Sequence, residues 1–554
     1  MSLSPEQQKA VDSESPSILM MAGPGSGKTH TLIARTRALL ERDAHPSQMV
    51  VITFTNEAAD ELKRRSDLDF KYCGTLHGFM LRILQEFGHK IGLTINISVM
   101  TEDMRDEMLT ALKKQNGFTR GTKKEINEAL SMGPWTLSDM LKNGESLSKS
   151  QTVALSYYQQ CRAESVIDYD SILFFGLEVA RKLDFYDLKV LYLFVDEYQD
   201  SSGIDALIYD ALPVTDRFYI GDPDQSIYAF RGADLGNIIE LAEERPDTEV
   251  LALEDNYRCD QEITRAAQHL IEHNQYRPQK ATRSVTGAEG KVLFHEPFSY
   301  DLEELIWVAQ EINKLPDPAE VAVLVRTNKL VEFFRDGLRG HSVQIPVVRH
   351  AQLPDDYKRT LLYLSLLCNP ENDRLAYAWL CKTNKAKADT IKMEALAQFT
   401  SINKAWLHLP TEPDLADVIG LLRRESTSFE MIARIEDTTA KLPDHYSLAE
   451  LVSALQYEQP KERGAGVTVT TMHSAKGREW DHVFLPALEQ GVIPSKSKNA
   501  TLEEERRLMF VAMTRARHTL TLSSSIIRED PWTHRETTMQ PSQFLEEVES
   551  LIYA

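Results

Sequence analysis

Two rhythms of apolar and polar residues alternate along this chain. Mainly apolar runs of strand length fall at 17–21 and 49–53, and each is followed by apolar positions at helical spacing, over 29–42 and 56–65. Continuous apolar runs mark strands buried on both faces, so the pair of rhythms predicts parallel α/β units. From 86 to 189 helical spacing dominates, broken by polar connections at 117–122 and 142–150. Strand-length runs resume at 190–195 and 217–220, which predicts a sheet interrupted by a helical insertion rather than finished before it. A second series of strand runs follows at 291–294, 321–325, 467–470, 483–486 and 519–523, with a mainly helical stretch at 356–459 inside it. The predicted architecture is two α/β cores, each a parallel sheet flanked by helices and each carrying a mainly helical insertion. The first core takes residues 1–85 and 190–283 around an insert at 86–189. The second takes 284–355 and 460–554 around a smaller insert at 356–459.

Charge and composition narrow the function. The 62 Lys and Arg against 83 Asp and Glu leave a net charge of −21, so the surface as a whole repels polyanions and any nucleic-acid site is local. Five cysteines, Cys73, Cys161, Cys259, Cys368 and Cys381, form no CxxC pair, and the 15 histidines show no metal-ligand spacing. Both facts argue against a disulfide framework, a zinc site or an iron–sulfur cluster. No apolar run approaches the roughly 18 residues that span a bilayer, and the N-terminus lacks the layout of a secretion signal. The expectation is a soluble cytoplasmic protein with no membrane partner, nucleoid-associated or, if virus-encoded, in the host cytoplasm. One local basic group, Lys113, Lys114, Arg120, Lys123 and Lys124 with Phe118 among them, reads either as a solvated helix face or as a guide for nucleic acid.

The chemistry begins where the first strand run meets Ala22-Gly23-Pro24-Gly25-Ser26-Gly27-Lys28-Thr29 and a helical pattern follows at once. Strand, glycine-rich loop and helix together form a phosphate cradle. Gly23, Gly25, Ser26 and Gly27 let backbone N–H groups face phosphates, Lys28 reaches the β and γ phosphates, and the Thr29 hydroxyl holds Mg²⁺. A second strand run ends at Asp196-Glu197-Tyr198-Gln199-Asp200. A carboxylate there, Asp196, can share the Mg²⁺, and the adjacent Glu197 can polarise an attacking water. Alone, such acids read as a solvated turn; beside the phosphate loop they read as a hydrolytic site. A third cluster, from Gly221 through Gln225, Tyr228, Phe230 and Arg231, could sense a γ phosphate at Gln225 and stack a base on Tyr228 and Phe230, although an isolated aromatic pair is more readily part of a core.

These segments, in this order, resemble superfamily 1 DNA helicases of the UvrD, Rep and PcrA type over most of the chain. The resemblance implies two RecA-like P-loop cores with ATP bound between them, Mg²⁺ as cofactor, and single-stranded DNA and single-strand/double-strand junctions as partners. It makes Gln7 the adenine reader and Tyr257 the adenine-stacking ring, and it places Glu479 on the nucleotide sugar. Lys28, Thr29, Asp196, Glu197, Gln225, Arg258 and Arg515 become the hydrolytic set, with both arginines on the γ phosphate. Phe54, Thr55, Asn56, Thr75, His77, Tyr228, Phe230, Arg231 and His473 become the DNA contacts. The implied activity is ATP-dependent 3′-to-5′ translocation and duplex unwinding. Two alternatives stay open: a translocase that displaces proteins and unwinds poorly alone, and a DNA-binding adaptor with a relic ATP site. His30 stands where relatives commonly carry arginine, Phe230 where they carry tryptophan, and the second insert is shorter than in the larger relatives.

Overall fold

The computed structural model describes residues 3–552 except 95–96, 119–121, 244, 276, 278–279, 349–356, most of 370–414, 425–426, 441, 443–445, 458–461, 464–465, 497–500 and 530–534. Two parallel sheets organise it. The first has six strands, β1 (Ser17–Ala22), β2 (Met49–Thr53), β3 (Tyr72–Thr75), β4 (Tyr192–Val195), β5 (Asp216–Gly221) and β6 (Glu249–Leu253), in the order β3-β2-β4-β5-β1-β6. The second has five, β7 (Lys291–Phe294), β8 (Val321–Val325), β9 (Thr468–Thr471), β10 (Trp480–Leu485) and β11 (Ala516–Leu522), in the order β7-β11-β10-β8-β9. β4 pairs with both β2 and β5, so the helical stretch before it leaves the sheet and returns to its middle.

Continuous apolar runs suit these strands because both faces are covered. Ile18, Met20 and Ala22 point into one cluster with Val51, Phe194 and Ile220, while Leu19 joins Val50, Ile52 and Val195 on the opposite face. The second sheet divides in the same way. Val321, Val323 and Val325 pack with Phe334 and Leu338, and Ala322 and Leu324 pack with Val483, Leu485 and Leu520.

The first insert is built from helices whose starts are written in the sequence. Thr101, Thr122, Ser148 and Asp168 each accept the backbone N–H three residues on, opening Glu102–Gln115, Lys123–Ser131, Lys149–Glu164 and Tyr169–Ala180. The second insert contributes Tyr357–Cys368 and Leu448–Tyr457, and both pack into the cluster that the first insert fills. Leu361, Leu364, Val452 and Leu455 share it with Leu109, Val153 and Leu177. The seam is hydrogen-bonded as well: the Ser98 hydroxyl donates to the Ser365 carbonyl at 2.9 Å and the Ser365 hydroxyl to the Val99 carbonyl at 3.0 Å. Arg82, on helix Leu76–Phe87 of the first core, pairs with Glu450 at 2.5 Å.

Residues 190–283 read in sequence as one stretch of the first core, but helix Gln261–Ile271 packs with the second. Its apolar face, Ile263, Ala266, Ala267 and Leu270, fits against Leu508, Phe510 and Phe544. The chain then returns, and Arg283–Ser284 pairs with Asp255–Asn256 beside the phosphate loop. In the basic group, Lys123 pairs with Asp106 at 3.0 Å and Lys124 with Glu128 at 3.7 Å; Arg120 lies outside the described residues. Among the described residues no helix is long and apolar enough to cross a membrane, and no three His, Cys, Asp or Glu gather as a metal site. Among the described residues Cys73, Cys161, Cys259 and Cys368 form no disulfide, and Cys381 lies outside the described residues.

Candidate nucleotide and nucleic-acid site

Because every strand of the first sheet runs the same way, the ends of β1, β4 and β5 open on one edge, where such sheets bind ligands. The loop after β1 is held open by glycine. Gly25 and Gly27 have φ of +66° and +81°, and a Cβ there would stand 2.5 Å from Asn256 Oδ1 and 2.7 Å from Gln7 Nε2 respectively. The Ser26 hydroxyl donates to the Gly23 carbonyl at 2.7 Å, and Gln7 Nε2 donates to the Ser26 carbonyl at 3.0 Å. The Tyr257 N–H donates to the Gly25 carbonyl at 2.9 Å, which ties the loop after β6 to the cradle, while its ring stays 49% exposed. Lys28 starts helix Lys28–Glu41 with its Nζ 3.4 Å from Glu197 Oε1, and Thr29 follows, half-buried, in the same turn.

Two carboxylates meet this cradle with opposite character. Asp196 closes β4, its N–H donating to the Ile52 carbonyl at 2.9 Å and its Oδ1 accepting the Glu197 N–H at 3.0 Å. Burial, and then the charge of Glu197, push the Asp196 carboxyl well above the usual range. Burial opposes ionisation of Glu197 too, but Lys28 and Lys476 outweigh it and hold that carboxyl low. Glu197 takes φ of +54°, a left-handed backbone uncommon outside glycine. Gln199 fixes it: Nε2 donates to Glu197 Oε2 at 2.5 Å, and Oε1 accepts the Asp222 N–H at 2.8 Å.

The two cores touch across this edge. Gln225, at the end of β5, accepts on Oε1 a 3.3 Å bond from Arg515 Nη2. Arg515 is 1% exposed and also donates to the Val511 carbonyl at 2.8 Å, the Arg478 carbonyl at 3.2 Å and the Thr514 hydroxyl at 3.1 Å. Burial, and then the nearby Arg258, disfavour its cation. Arg258 crosses in the other direction, to Glu479 by Nε and to the Thr514 carbonyl at 3.5 Å by Nη1. Lys476 of the second core bonds Asp200 and, at 2.9 Å, the Gln225 carbonyl.

Beside this cleft runs a file of rings. Phe54 stacks on Tyr228 with centroids 4.8 Å apart, Tyr228 neighbours Phe230 at 6.0 Å, and Phe230 meets the edge of His473 at 5.5 Å. Lys476 lies 5.2 Å and Arg231 5.5 Å from the Tyr228 ring centre. Phe230 is 64% exposed, a poor core residue and a ready platform. His77 stacks on Tyr169 at 3.8 Å inside a cavity of about 1140 Å³ that Thr55, Asn56, Thr75 and Arg231 also line. Thr55 and Thr75 cap helices, accepting the N–H of Ala58 at 3.1 Å and of Gly78 at 3.3 Å. Burial lowers His77, and burial with Arg326 nearby lowers His473 to about 4, so both rings are neutral at pH 7.

Comparison with known proteins gives this arrangement a lineage. A model of the UvrD/REP helicase N-terminal domain matches residues 3–246, and one of the UvrD-like helicase C-terminal domain matches 251–410 and 422–526. The chain belongs to the UvrD/Rep helicase family. With that go the fold, two RecA-like α/β cores, and the enzyme class, ATP-dependent DNA helicase. It is 27% identical to the ATP-dependent DNA helicase PcrA of Bacillus subtilis, over 99% of this chain and 85% of the relative. It is likewise 27% identical to UvrD1 of Mycobacterium tuberculosis, over 99% and 85%, and 26% identical to srs2 of Schizosaccharomyces pombe, over 94% and 71%.

For a UvrD/Rep protein the residues present fit a nucleotide. Asn256 Nδ2, Thr282 Oγ1 and His30 Nε2 are buried without a hydrogen-bond partner, and Thr282 Oγ1 would stand 3.2 Å from a Cβ on Gly23. Sequence reasoning passed over Gln199, Lys476 and Tyr169. Gln199 sits inside the stretch 196–200 and Lys476 between His473 and Glu479, but their roles depend on partners brought in from other strands.

Proposed function

We propose that this helicase hydrolyses Mg–ATP when single-stranded DNA is bound, moves 3′-to-5′ along it and unwinds duplex at single-strand/double-strand junctions. The observation that carries this reading is the bond from Arg515 of the second core to Gln225 of the first. In this reading Gly23, Gly25, Ser26 and Gly27 cradle the phosphates by backbone N–H, and Lys28 neutralises the β and γ groups. Gln7 and Tyr257 hold adenine, and Glu479 holds the sugar. Mg²⁺, held by Thr29 and Asp196, would supply further positive charge to the phosphates. Glu197, held ionised by Lys28 and Lys476, orients and polarises the attacking water.

The arginines link chemistry to motion. Without nucleotide they rest on Glu479 and Gln225, both weaker partners than a phosphate dianion. ATP draws both guanidiniums to one γ phosphate and tightens the cleft; losing that group returns them to the weaker bridges to Glu479 and Gln225 and loosens the grip of one core on the other. Tyr228 is three residues beyond Gln225, so a shift of the sensor moves the ring file that grips the strand. Phe54, Thr55, Asn56, Thr75, His77, Phe230, Arg231 and His473 complete that grip. The polarity of movement rests on the resemblance to the family. We assign 1–85 with 190–283 and 284–355 with 460–554 to the two motor cores, with helix Gln261–Ile271 packed on the second, 86–189 and 356–459 to the inserts, and the cytoplasm as the place of work.

The test is Lys28→Ala. Phosphate release should fall to background while oligo-dT binding stays within about threefold, and the wild type should unwind a 3′-tailed but not a 5′-tailed duplex. Normal turnover in the variant would refute the site. Strand movement without unwinding would favour the protein-displacing translocase.

A further inference from the structure

Beneath the loop that carries Gln225, two cations are buried against two carboxylates. Arg277 grips Asp224 through Nε and Nη2 at 2.9 and 2.8 Å. Lys280 pairs with Asp222 and stands 3.4 Å from Asp224, and the side chains of all three of these residues are at most 3% exposed. Asp222 divides its oxygens. Oδ1 takes Lys280 and, at 3.1 Å, the Asp224 N–H; Oδ2 accepts from Gln225 Nε2 at 2.5 Å.

That geometry fixes the Gln225 amide from both ends. An ionised carboxylate only accepts, so Gln225 turns its nitrogen to Asp222; a guanidinium only donates, so Gln225 turns its oxygen to Arg515. Among the described residues Lys280 is the one cation that touches Asp222, and it is thus what aligns the acceptor for Arg515 across the cleft. We propose that Lys280 is a positioning residue for ATP hydrolysis, fixing Asp222 so that the Gln225 amide meets Arg515 in the orientation from which γ phosphate is sensed. The proposal rests on the reading of Gln225 as sensor. Without the Lys280 charge, an uncompensated carboxylate at a fully buried position turns away or draws in water. The Gln225 amide is then free to rotate and set N–H against guanidinium. The phosphate loop makes none of these bonds, so ATP still binds.

The experiment uses the full chain with oligo-dT and measures phosphate release, affinity for a fluorescent ATP analogue, and Tm. Lys280→Met and Asp222→Asn should each lower kcat at least tenfold with nucleotide Kd within twofold, and the double variant should be no slower than the slower single one. Asp222→Asn, close in shape to the wild type, carries the test if Lys280→Met does not fold. Arg277→Met strips a cation from the same network without touching the partner of Gln225; it should lower Tm comparably and leave kcat within threefold. Gln225→Ala measured alongside separates the two levels. If it is slow while Lys280→Met and Asp222→Asn match the wild type, the positioning role is overturned and the sensor stands. If Gln225→Ala matches the wild type, both fall. Equal loss of kcat in Lys280→Met and Arg277→Met would make the effect structural and overturn the proposal.

Discussion

Arg258→Ala removes one of the two guanidiniums at the cleft and little else. The Arg258 side chain is 16% exposed and that of its partner Glu479 40%. An ion pair so open to water is worth about 0–1 kcal/mol, and Glu479 keeps Arg517 at 3.5 Å. The remaining bond, to the Thr514 carbonyl, is at the 3.5 Å limit. Stability should therefore fall by no more than about 1 kcal/mol, a Tm shift of about 2–4 °C for cores of this size. Catalysis should fall much further. An arginine that neutralises a transferring phosphoryl group is worth about 10³–10⁵ in kcat, or roughly 4–7 kcal/mol at about 1.36 kcal/mol per decade. Phosphate release at saturating ATP and oligo-dT, read beside Tm and nucleotide affinity, distinguishes the two scales. Arg258→Lys should recover only part of the rate, because a point charge cannot reproduce a planar fork. Turnover of the alanine variant within threefold of wild type would refute the reasoning, as would a loss matched by a large fall in Tm.

The ring file makes separable predictions. Phe230→Ala should weaken oligo-dT binding by about 5- to 150-fold, the value of a base stack of about 1–3 kcal/mol, with Tm unchanged, whereas Tyr228→Ala, which also holds Phe54, should lower both affinity and Tm. Since His473 is neutral at pH 7, His473→Gln should leave the slope of log K against log salt unchanged, while Arg231→Ala, if it meets a phosphate, should reduce it by about 0.7. Anisotropy titrations at four salt concentrations check both. The folded values of His77 and His473 lie below the unfolded 6.5, so the folded chain resists protons that the unfolded chain takes up. Their contribution to stability is complete above 6.5 and is lost as pH falls toward 4. Thermal melts at pH 7 and pH 5 should show a drop that is smaller in His473→Gln.

Local patterns were legible because their physics is local. The phosphate loop is a contiguous strand, glycine turn and helix, and β2, β7 and β8 begin and end where the apolar runs at 49–53, 291–294 and 321–325 do. What stayed hidden depends on partners distant in sequence. Arg258 reaches Glu479, 221 positions away, and Lys280 reaches Asp222, 58 positions away. Residues 190–283 read as one stretch because nothing local says which sheet buries helix Gln261–Ile271. In the same way, the inserts at 86–189 and 356–459 read as separate units although Leu361 and Val452 share a core with Val153. The lysines at 123 and 124 looked unopposed because one of the acids that answers them, Asp106, is a helix away.

In the proposed motor, γ phosphate is held by both cores at once. A crystal structure with oligo-dT and a non-hydrolysable ATP analogue tests it most directly. The guanidiniums of Arg258 and Arg515 should both lie within about 2.7–2.9 Å of γ-phosphate oxygens, with Arg258 released from Glu479. Either guanidinium still on its nucleotide-free partner, with the cleft closed around the analogue, would contradict it.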